Sequence, residues 1–287
     1  MDLIWQILLN GIFLGGLYAL MALGLALVWG VLNIVNLAHG ALIMLGAYAC
    51  YYLYTGAHID PFLALPLAML TMFILGYLIQ RYVLNLIVRS AMFNTLLITF
   101  GLDVVLTYLA QIAFSADFRT INPPYAGSNF QFLGATVPLV QLLTFVVAIT
   151  VTVGLSIFLA RARLGRAIRA TAQNLTAARL YGVDPRTLYA FTFALGAALA
   201  GAAGGLYGMV SQINPYIGAP LTAKSFAIAI IGGLDNPLGV IVGGLFLGIV
   251  ESFTALYVGP TYTSVASFGI LVLVLIFRPT GILGRTT

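Results

Sequence analysis

Ten side chains in this 287-residue sequence could carry acid–base, nucleophilic or metal chemistry: seven carboxylates, two histidines and one cysteine. The histidines, His39 and His58, have no cysteine or carboxylate at ligand spacing except Asp60. Cys50 is a single cysteine, which excludes an intramolecular disulfide and a paired-cysteine metal site. The sequence contains no zinc-protease, nucleophile-elbow or P-loop signature. It therefore lacks the constellations of an enzyme, and any ATP that drives its function must be hydrolysed by another chain.

Two of the carboxylates, Asp103 and Glu251, lie in the middle of long apolar runs. A charge at that position is expensive in a bilayer, so each side chain should face the interior of a helix bundle. We expect each to bond to a neighbouring helix, charged or protonated, with a role in lining a pathway as the alternative. Lys224 stands near the outer end of its apolar run and is expected to extend its ammonium to the membrane interface.

The composition places these side chains in a membrane protein. Hydrophobic residues make up 62% of the chain, charged residues only 7%, and the mean hydropathy is +1.08. A soluble domain carries about 25% charged residues, so this chain could not cover a water-facing surface. We predict an all-α, polytopic transmembrane helix bundle that forms one domain over residues 1–287.

The apolar runs give the number of membrane spans. The first predicted span covers residues 3–35. The second follows the polar residues Asn33, Asn36 and His39 and ends at the tyrosine cluster of residues 51–54. The other predicted spans cover residues 62–80, 94–114, 138–160, 187–210, 238–258 and 262–277. Each approaches the ~20 residues that a helix needs to cross about 30 Å of hydrocarbon. Residues 223–234 are long enough for only half a crossing, so the count is eight spans with a half-helix, or nine. We favour nine, which places the N-terminus outside.

Basic residues set the orientation, because ten of the twelve fall in three segments. These are Arg81 and Arg89, the loop 161–186, and a tail with Arg278 and Arg285. By the positive-inside rule all three segments are cytoplasmic, and so is the C-terminus. The longest loop on the other side, residues 115–137, should face outward.

The basic loop contains the most informative segment, Leu164–Asp184. Its Ala, Leu, Arg and Gln content favours a helix, Gly182 is a suitable stop, and Asp184 followed by proline can cap the next span. Arg166 and Arg169 share one face of this helix. Either the helix is a positively charged topology determinant that contacts lipid headgroups, or it docks a cytoplasmic partner.

Other polar residues accompany Gly or Pro interruptions of the apolar runs. These are Asn33, Asn36, His39, Asn214, Asp235 and Asn236. Interrupted helices at membrane depth expose backbone dipoles that could contact the charged groups of a ligand. The alternative is that these residues end helices at the interface or form interhelical hydrogen bonds. Glycine pairs at four-residue spacing, such as Gly11 with Gly15 and Gly244 with Gly248, indicate closely packed helices.

Five segments carry a resemblance to a known family. They read NLAHG (36–40), LGRAIRATAQNLTAARLYGVD (164–184), INPYIG (213–218), IGGLDNPLGVIVGGLFLGIVES (231–252) and RPTGILGR (278–285). In content and order they resemble the LivH-type permease subunits of branched-chain amino-acid ABC importers. The resemblance implies a multi-pass protein of the bacterial inner membrane whose partners are a second, similar permease, two ATP-binding subunits and an extracytoplasmic solute-binding protein, with no nucleic acid. It implies that ATP and magnesium bind the partner ATPases and that this chain binds no cofactor.

The resemblance also assigns roles to residues. The helix around Arg166–Tyr181 becomes the coupling helix that sits in an ATPase groove. Its expected coupling residues are Gly165, Arg166, Arg169, Ala172, Leu175, Ala177, Arg179, Gly182 and Asp184. The expected substrate pathway comprises Asn33, Asn36, His39, Asn214, Asp235, Asn236 and Glu251.

Several functions stay open at this stage. The substrate is expected to be leucine, isoleucine, valine or another neutral amino acid, with urea and short amides as the alternative. A different class is an ion-coupled secondary transporter in which Asp103 and Glu251 relay protons or bind sodium. The basic loop favours the ATP-driven class, since a secondary transporter needs no lever facing an ATPase.

Overall fold

A computed structural model describes residues 2–87, 92–132, 134–234 and 236–284. Its helices are α1 (Asp2–Leu32), α2 (His39–Ala57), α3 (Pro61–Tyr82), α4 (Met92–Phe114), α5 (Leu139–Arg161), α6 (Arg163–Gln173), α7 (Leu175–Leu180), α8 (Pro185–Val210), α9 (Gly218–Gly232), α10 (Pro237–Tyr257) and α11 (Thr263–Phe277). Three short 3₁₀ turns cover Leu84–Leu86, Pro215–Ile217 and Pro260–Tyr262. One antiparallel hairpin, β1 (Asn129–Phe132) with β2 (Ala135–Pro138), pairs Asn129 with Pro138. The predicted all-α polytopic bundle is confirmed.

Three helices begin with a capping side chain followed by proline. Asp60 accepts a hydrogen bond from Phe62 N, Asp184 caps α8, and Asn236 caps α10. Proline suits this first position because its missing N–H would have no intrahelical acceptor there. The predicted start of α8 at Asp184 is therefore confirmed.

The bundle has two distinct ends. The end that carries Arg81, the α5–α8 loop and Arg278 is called the basic side here. The other end, called the opposite side, holds the β hairpin and the N-terminus of α1, where Gln6 exchanges two hydrogen bonds of 2.8 Å with the backbone of Thr136. The N-terminus therefore lies opposite the basic loops, as a nine-crossing topology requires.

Within the described residues, seven helices are long and apolar enough to span a membrane: α1, α3, α4, α5, α8, α10 and α11. The chain makes two further passages through α2 and α9. Residues 33–38 lead into α2, and residues 211–217, which include the 3₁₀ turn Pro215–Ile217, lead into α9. His39, the first residue of α2, contacts the backbone of Met21 in α1. Met21 lies 11 residues, and therefore about 16 Å, from the basic end of α1, so α2 begins at that depth inside the bundle. The predicted half-helix near 223–234 is α9, which begins earlier, at Gly218, and is about 22 Å long.

The core lies around α1 and α8, whose apolar windows are 83% buried, against 6% for α11 and 11% for α4. Glycine allows this packing. A side-chain carbon on Gly248 of α10 would lie 2.5 Å from Gly15 of α1, and one on Gly204 of α8 would collide with the carbonyl oxygen of Ile43 in α2. The glycine pairs thus provide close helix approach, as predicted.

Candidate functional site

The basic loop contains two helices rather than the single one predicted. Asn174 interrupts the segment between α6 and α7, and its side-chain oxygen accepts a hydrogen bond of 2.9 Å from Ala177 N. Asparagine is among the preferred N-cap residues, so the break follows from a local signal that the helix-forming composition obscured. Gly182 ends α7 with φ of +82°, which confirms the predicted stop.

The first helix of the loop is fixed to the end of a membrane span. Arg166 donates a hydrogen bond of 2.8 Å to Arg161 O, and Arg169 donates one of 3.2 Å to Ala160 O. These carbonyls belong to the last turn of α5, where a helix has no acceptor partners of its own and favours cations. Gly165 packs so closely on Leu159 that a side-chain carbon there would lie 2.6 Å from its Cα. The two arginines are exposed, and their hydrogen bonds hold α6 against α5.

The other end of the loop is fixed to α8. Asp184 accepts hydrogen bonds from Arg186 N and from the backbone N–H and hydroxyl of Thr187. The hydroxyl bond from Thr187, assisted by the two backbone N–H groups, lowers the pKa of the Asp184 carboxyl. The loop is thus joined by polar contacts to both spans that flank it.

The surface of the loop combines exposed cationic and apolar side chains. Among the predicted coupling residues, Ala172 and Arg179 are exposed, and Leu175 and Ala177 are half-buried. Leu180 and Tyr181 were missed by the sequence analysis, yet they are 85% and 90% exposed. Two large apolar residues directly before a helix-ending glycine are the sequence signal that could have found them.

Glu251 lies in a buried polar cluster that joins four helices. It accepts hydrogen bonds from Tyr18 of α1 at 2.6 Å, from Lys224 of α9 at 3.0 Å and from Ser267 of α11. The Lys224 ammonium also lies 4.5 Å from the centre of the Tyr18 ring. The expected bond from Glu251 to a neighbouring helix is confirmed. The expectation that Lys224 reaches the interface is wrong, because its ammonium pairs with Glu251 inside the bundle.

The leads into α2 and α9 meet inside the bundle. Gly40 N donates to Thr222 Oγ1 at 2.8 Å, and the same hydroxyl donates to Leu37 O at 3.1 Å. A side chain at Gly40 would collide with the carbonyl oxygen of Gly218. Asn36 is buried here, and neither of its side-chain polar atoms has a partner within the described residues. The first turns of these two short helices therefore lie against each other.

The remaining pathway candidates lie far apart. Asn33 is exposed at the basic end of α1, with φ of +53°. Asn214 accepts a hydrogen bond from Tyr216 N beyond α8, and Asn236 donates to Leu283 O beside the start of α10. Asp235 lies outside the described residues. The structure brings together the 36–40 lead and the start of α9, but it does not gather all the predicted pathway residues.

Asp103 lies apart from the Glu251 cluster, on α4. Its Oδ1 is buried and has no hydrogen-bond partner within the described residues. The expected bond to a neighbouring helix is therefore not formed there. The nearby Thr99, one turn away on the same helix, instead donates to Val35 O at 2.8 Å.

The opposite side is closed by a polar network between two loops. Arg119 and Ile213 exchange two backbone hydrogen bonds, and the Arg119 guanidinium donates to Tyr52 at 2.6 Å. Tyr125 donates to Asp60 at 2.7 Å, and burial together with this bond raises the pKa of the Tyr125 phenol. Two loops that are distant in sequence thus form one continuous surface.

Comparisons with known proteins agree with this arrangement. Residues 7–275 match the family model described as the permease component of the branched-chain amino acid transport system. The chain is 37% identical to the high-affinity branched-chain amino acid transport system permease protein BraD of Pseudomonas aeruginosa and 33% identical to LivH of Escherichia coli, with 98% of this chain and 95% of each relative covered. It is 27% identical to LivM of Escherichia coli, over 94% of this chain and 68% of that protein. No solved structure matches the chain. The chain belongs to the family of branched-chain amino acid transport permeases.

Proposed function

We propose that this chain is a membrane-spanning permease subunit of an ABC importer, and that its substrates are leucine, isoleucine and valine. The names of BraD and LivH support this substrate class, because both relatives are similar to this chain along almost its full length. The chain supplies a path through the membrane, and ATP with magnesium is bound and hydrolysed by separate subunits.

The basic side is the cytoplasmic side in this proposal. Arginine is concentrated there in the α5–α8 loop and at the ends of α3 and α11, in accord with the positive-inside rule. The C-terminus is then cytoplasmic, and the protein resides in the bacterial inner membrane. The opposite side, with the Arg119–Ile213 ladder, faces an extracytoplasmic solute-binding protein.

The observation that carries the proposal is the double attachment of the basic loop. Arg166 and Arg169 bind the end of α5, and Asp184 caps the start of α8. A partner that pushes on α6 and α7 therefore moves two spans, which is what a coupling element must do. Leu180 and Tyr181 offer that partner an exposed apolar contact.

The other subunits follow from the same arrangement. The similarity to LivM supports a second, related permease beside this one. Two ATP-binding subunits then dock below the pair. An ion-coupled carrier is disfavoured because Glu251 already accepts three hydrogen bonds and pairs with Lys224, and because Asp103 lies apart from it.

Uptake into membrane vesicles tests the function. Vesicles that contain this chain, the second permease, both ATPases and the binding protein should accumulate labelled leucine only when ATP and the binding protein are supplied. Labelled valine, urea and acetamide in parallel assays define the substrate class. Uptake driven by a proton or sodium gradient without ATP would overturn the proposal.

A double variant tests the coupling surface. Replacing Ala172 and Ala177 by glutamate places two acidic side chains on the loop and should abolish uptake while membrane insertion persists. ATP hydrolysis should then no longer respond to the binding protein. The double serine variant at the same positions is the matched control and should retain uptake. Normal uptake by the glutamate variant would exclude these positions from coupling.

A further inference from the structure

A cavity of about 180 Å³ lies near the opposite side, where α1, α5, α8 and α10 meet. One part of its wall is apolar, formed by Phe13, Leu14, Leu17 and Val210. The other part is polar and is formed by Asn10, Gln141, Thr144, Ser211 and Ser252. An engineered cavity of roughly 150 Å³ is large enough to bind benzene, so this one has room for a small organic molecule.

Two of the polar side chains in the wall lack partners. Gln141 Oε1 and Thr144 Oγ1 are buried and have no hydrogen-bond partner within the described residues. Thr144 is 2% exposed. A buried polar atom without a hydrogen-bond partner is unfavourable, so these atoms favour a polar occupant. None of the residues in the wall is charged, which disfavours an ion of a single sign.

Two helix ends of opposite polarity meet at the cavity. Gln141 lies in the first turn of α5, the end with partial positive charge, and Thr144 follows three residues later. Val210 is the last residue of α8 and Ser211 is its C-cap, the end with partial negative charge. The helix dipoles favour a carboxylate near α5, where the Thr144 hydroxyl can donate to it, and an ammonium near α8. The unpartnered Gln141 Oε1 is an acceptor and suits the ammonium, while an aliphatic group can contact Phe13 and Leu17.

Two members of the Glu251 cluster are sequence neighbours of cavity residues, although no residue of the cluster lines the cavity itself. Tyr18 follows the cavity residue Leu17, and Glu251 precedes the cavity residue Ser252. Lys224 joins both members of the cluster. Gln141 lies in the first turn of α5 and Ser211 follows the last turn of α8, both at the ends opposite the basic loop, so the cavity belongs to the side from which an importer takes its solute.

We propose that this cavity binds a neutral, zwitterionic amino acid as it enters the permease from the opposite side. The inference rests on the proposed function and deepens it, since it gives the place where the substrate first contacts this chain. The helix ends bind the two charges, the polar wall supplies hydrogen bonds, and the apolar wall accepts the aliphatic side chain.

Thiol labelling tests the occupancy of the cavity directly. In a Cys50→Ala background, Ser252→Cys should react with a small thiol reagent added from the opposite side of vesicles that contain the complete importer. A saturating concentration of leucine should slow this labelling at least five-fold, and glutamate should leave it unchanged. Absence of labelling, or labelling that leucine does not slow, would overturn the proposal.

Transport by a matched pair of variants provides the second test. Thr144 and Thr152 are both buried on α5 with unpartnered hydroxyls, but only Thr144 lies in the cavity wall. Thr144→Val should reduce leucine uptake at low substrate about ten-fold, and Thr152→Val should transport like the parent. If the two variants take up leucine equally well and the parent shows ATP-driven uptake, the cavity is excluded as the substrate site but the proposed function stands. A parent without ATP-driven uptake would overturn both.

Discussion

Replacing Lys224 by methionine should destabilise the bundle strongly, because the change leaves the Glu251 carboxylate buried without its cation. The two side chains are 3.0 Å apart, and Glu251 is 4% exposed. Methionine keeps the length of the lysine stem, so the change removes the charge with little loss of packing. Tyr18 and Ser267 remain as hydrogen-bond donors to the carboxylate.

The size of the effect follows from the burial of the pair. Removing one partner of a buried ion pair typically costs about 3–5 kcal/mol. The Lys224 side chain is 19% exposed and two donors to Glu251 remain, so the lower end, about 3 kcal/mol, applies here. At roughly 2–4 °C for each kcal/mol in a chain of this size, the melting temperature should fall by about 6–12 °C.

Thermal unfolding of the purified protein in detergent measures this fall. The double variant Lys224→Met with Glu251→Gln removes both charges and should melt above the lysine variant alone, since no uncompensated charge remains. Arg163→Met removes an exposed charge and should melt within about 2 °C of the parent. The reasoning is refuted if Lys224→Met melts at the same temperature as Arg163→Met, or if the double variant melts below Lys224→Met.

Three further variants extend these expectations. Leu180→Glu with Tyr181→Glu should abolish ATP-driven uptake without lowering the melting temperature, because both side chains are almost fully exposed; retained uptake would remove them from the coupling surface. Gly204→Ala should lower the melting temperature, because the added side-chain carbon would collide with the carbonyl oxygen of Ile43. Gly101→Ala lies on an open helix face and should stabilise the bundle by up to about 1 kcal/mol. Similar melting temperatures for the two variants would contradict the packing argument. Asp184→Asn should have a lower melting temperature than the parent at neutral pH, because a carboxyl group with a lowered pKa stabilises the fold while it is ionised. The difference in melting temperature should shrink as the pH falls through the lowered pKa of Asp184. A difference that is constant with pH would contradict this role.

Local signals in the sequence predicted the features that depend on neighbouring residues. The aspartate and proline at 184–185 begin α8, and Gly182 ends the loop helix because glycine readily adopts a positive φ. The predicted glycine pairs lie at helix contacts because a residue without a side chain lets any neighbouring helix approach closely. These features require no knowledge of which helices are neighbours.

The position of the Lys224 ammonium depends on distant residues and was predicted incorrectly. Lys224 is close to the start of its apolar run, which suggested the interface, but its partners Tyr18 and Glu251 are 206 and 27 residues away. Arg166 and Arg169 bind carbonyl oxygens at the end of α5, contacts that the sequence alone did not predict. A single sequence shows that these charges need partners, but only the packing shows which groups supply them.

The basic loop and the proposed substrate cavity lie at opposite ends of the same two helices. The loop is fixed to the last turn of α5 and the first turn of α8, and the cavity is lined by the first turns of α5 and the last residues of α8. Because α5 has 23 residues and is about 34 Å long, a tilt of about 10° at the loop displaces its far end by about 6 Å. A displacement of that size is comparable to the width of the cavity itself. Movement imposed on the loop by the proposed ATPase partner would therefore reach the proposed substrate site through two rigid helices, without a separate relay between them.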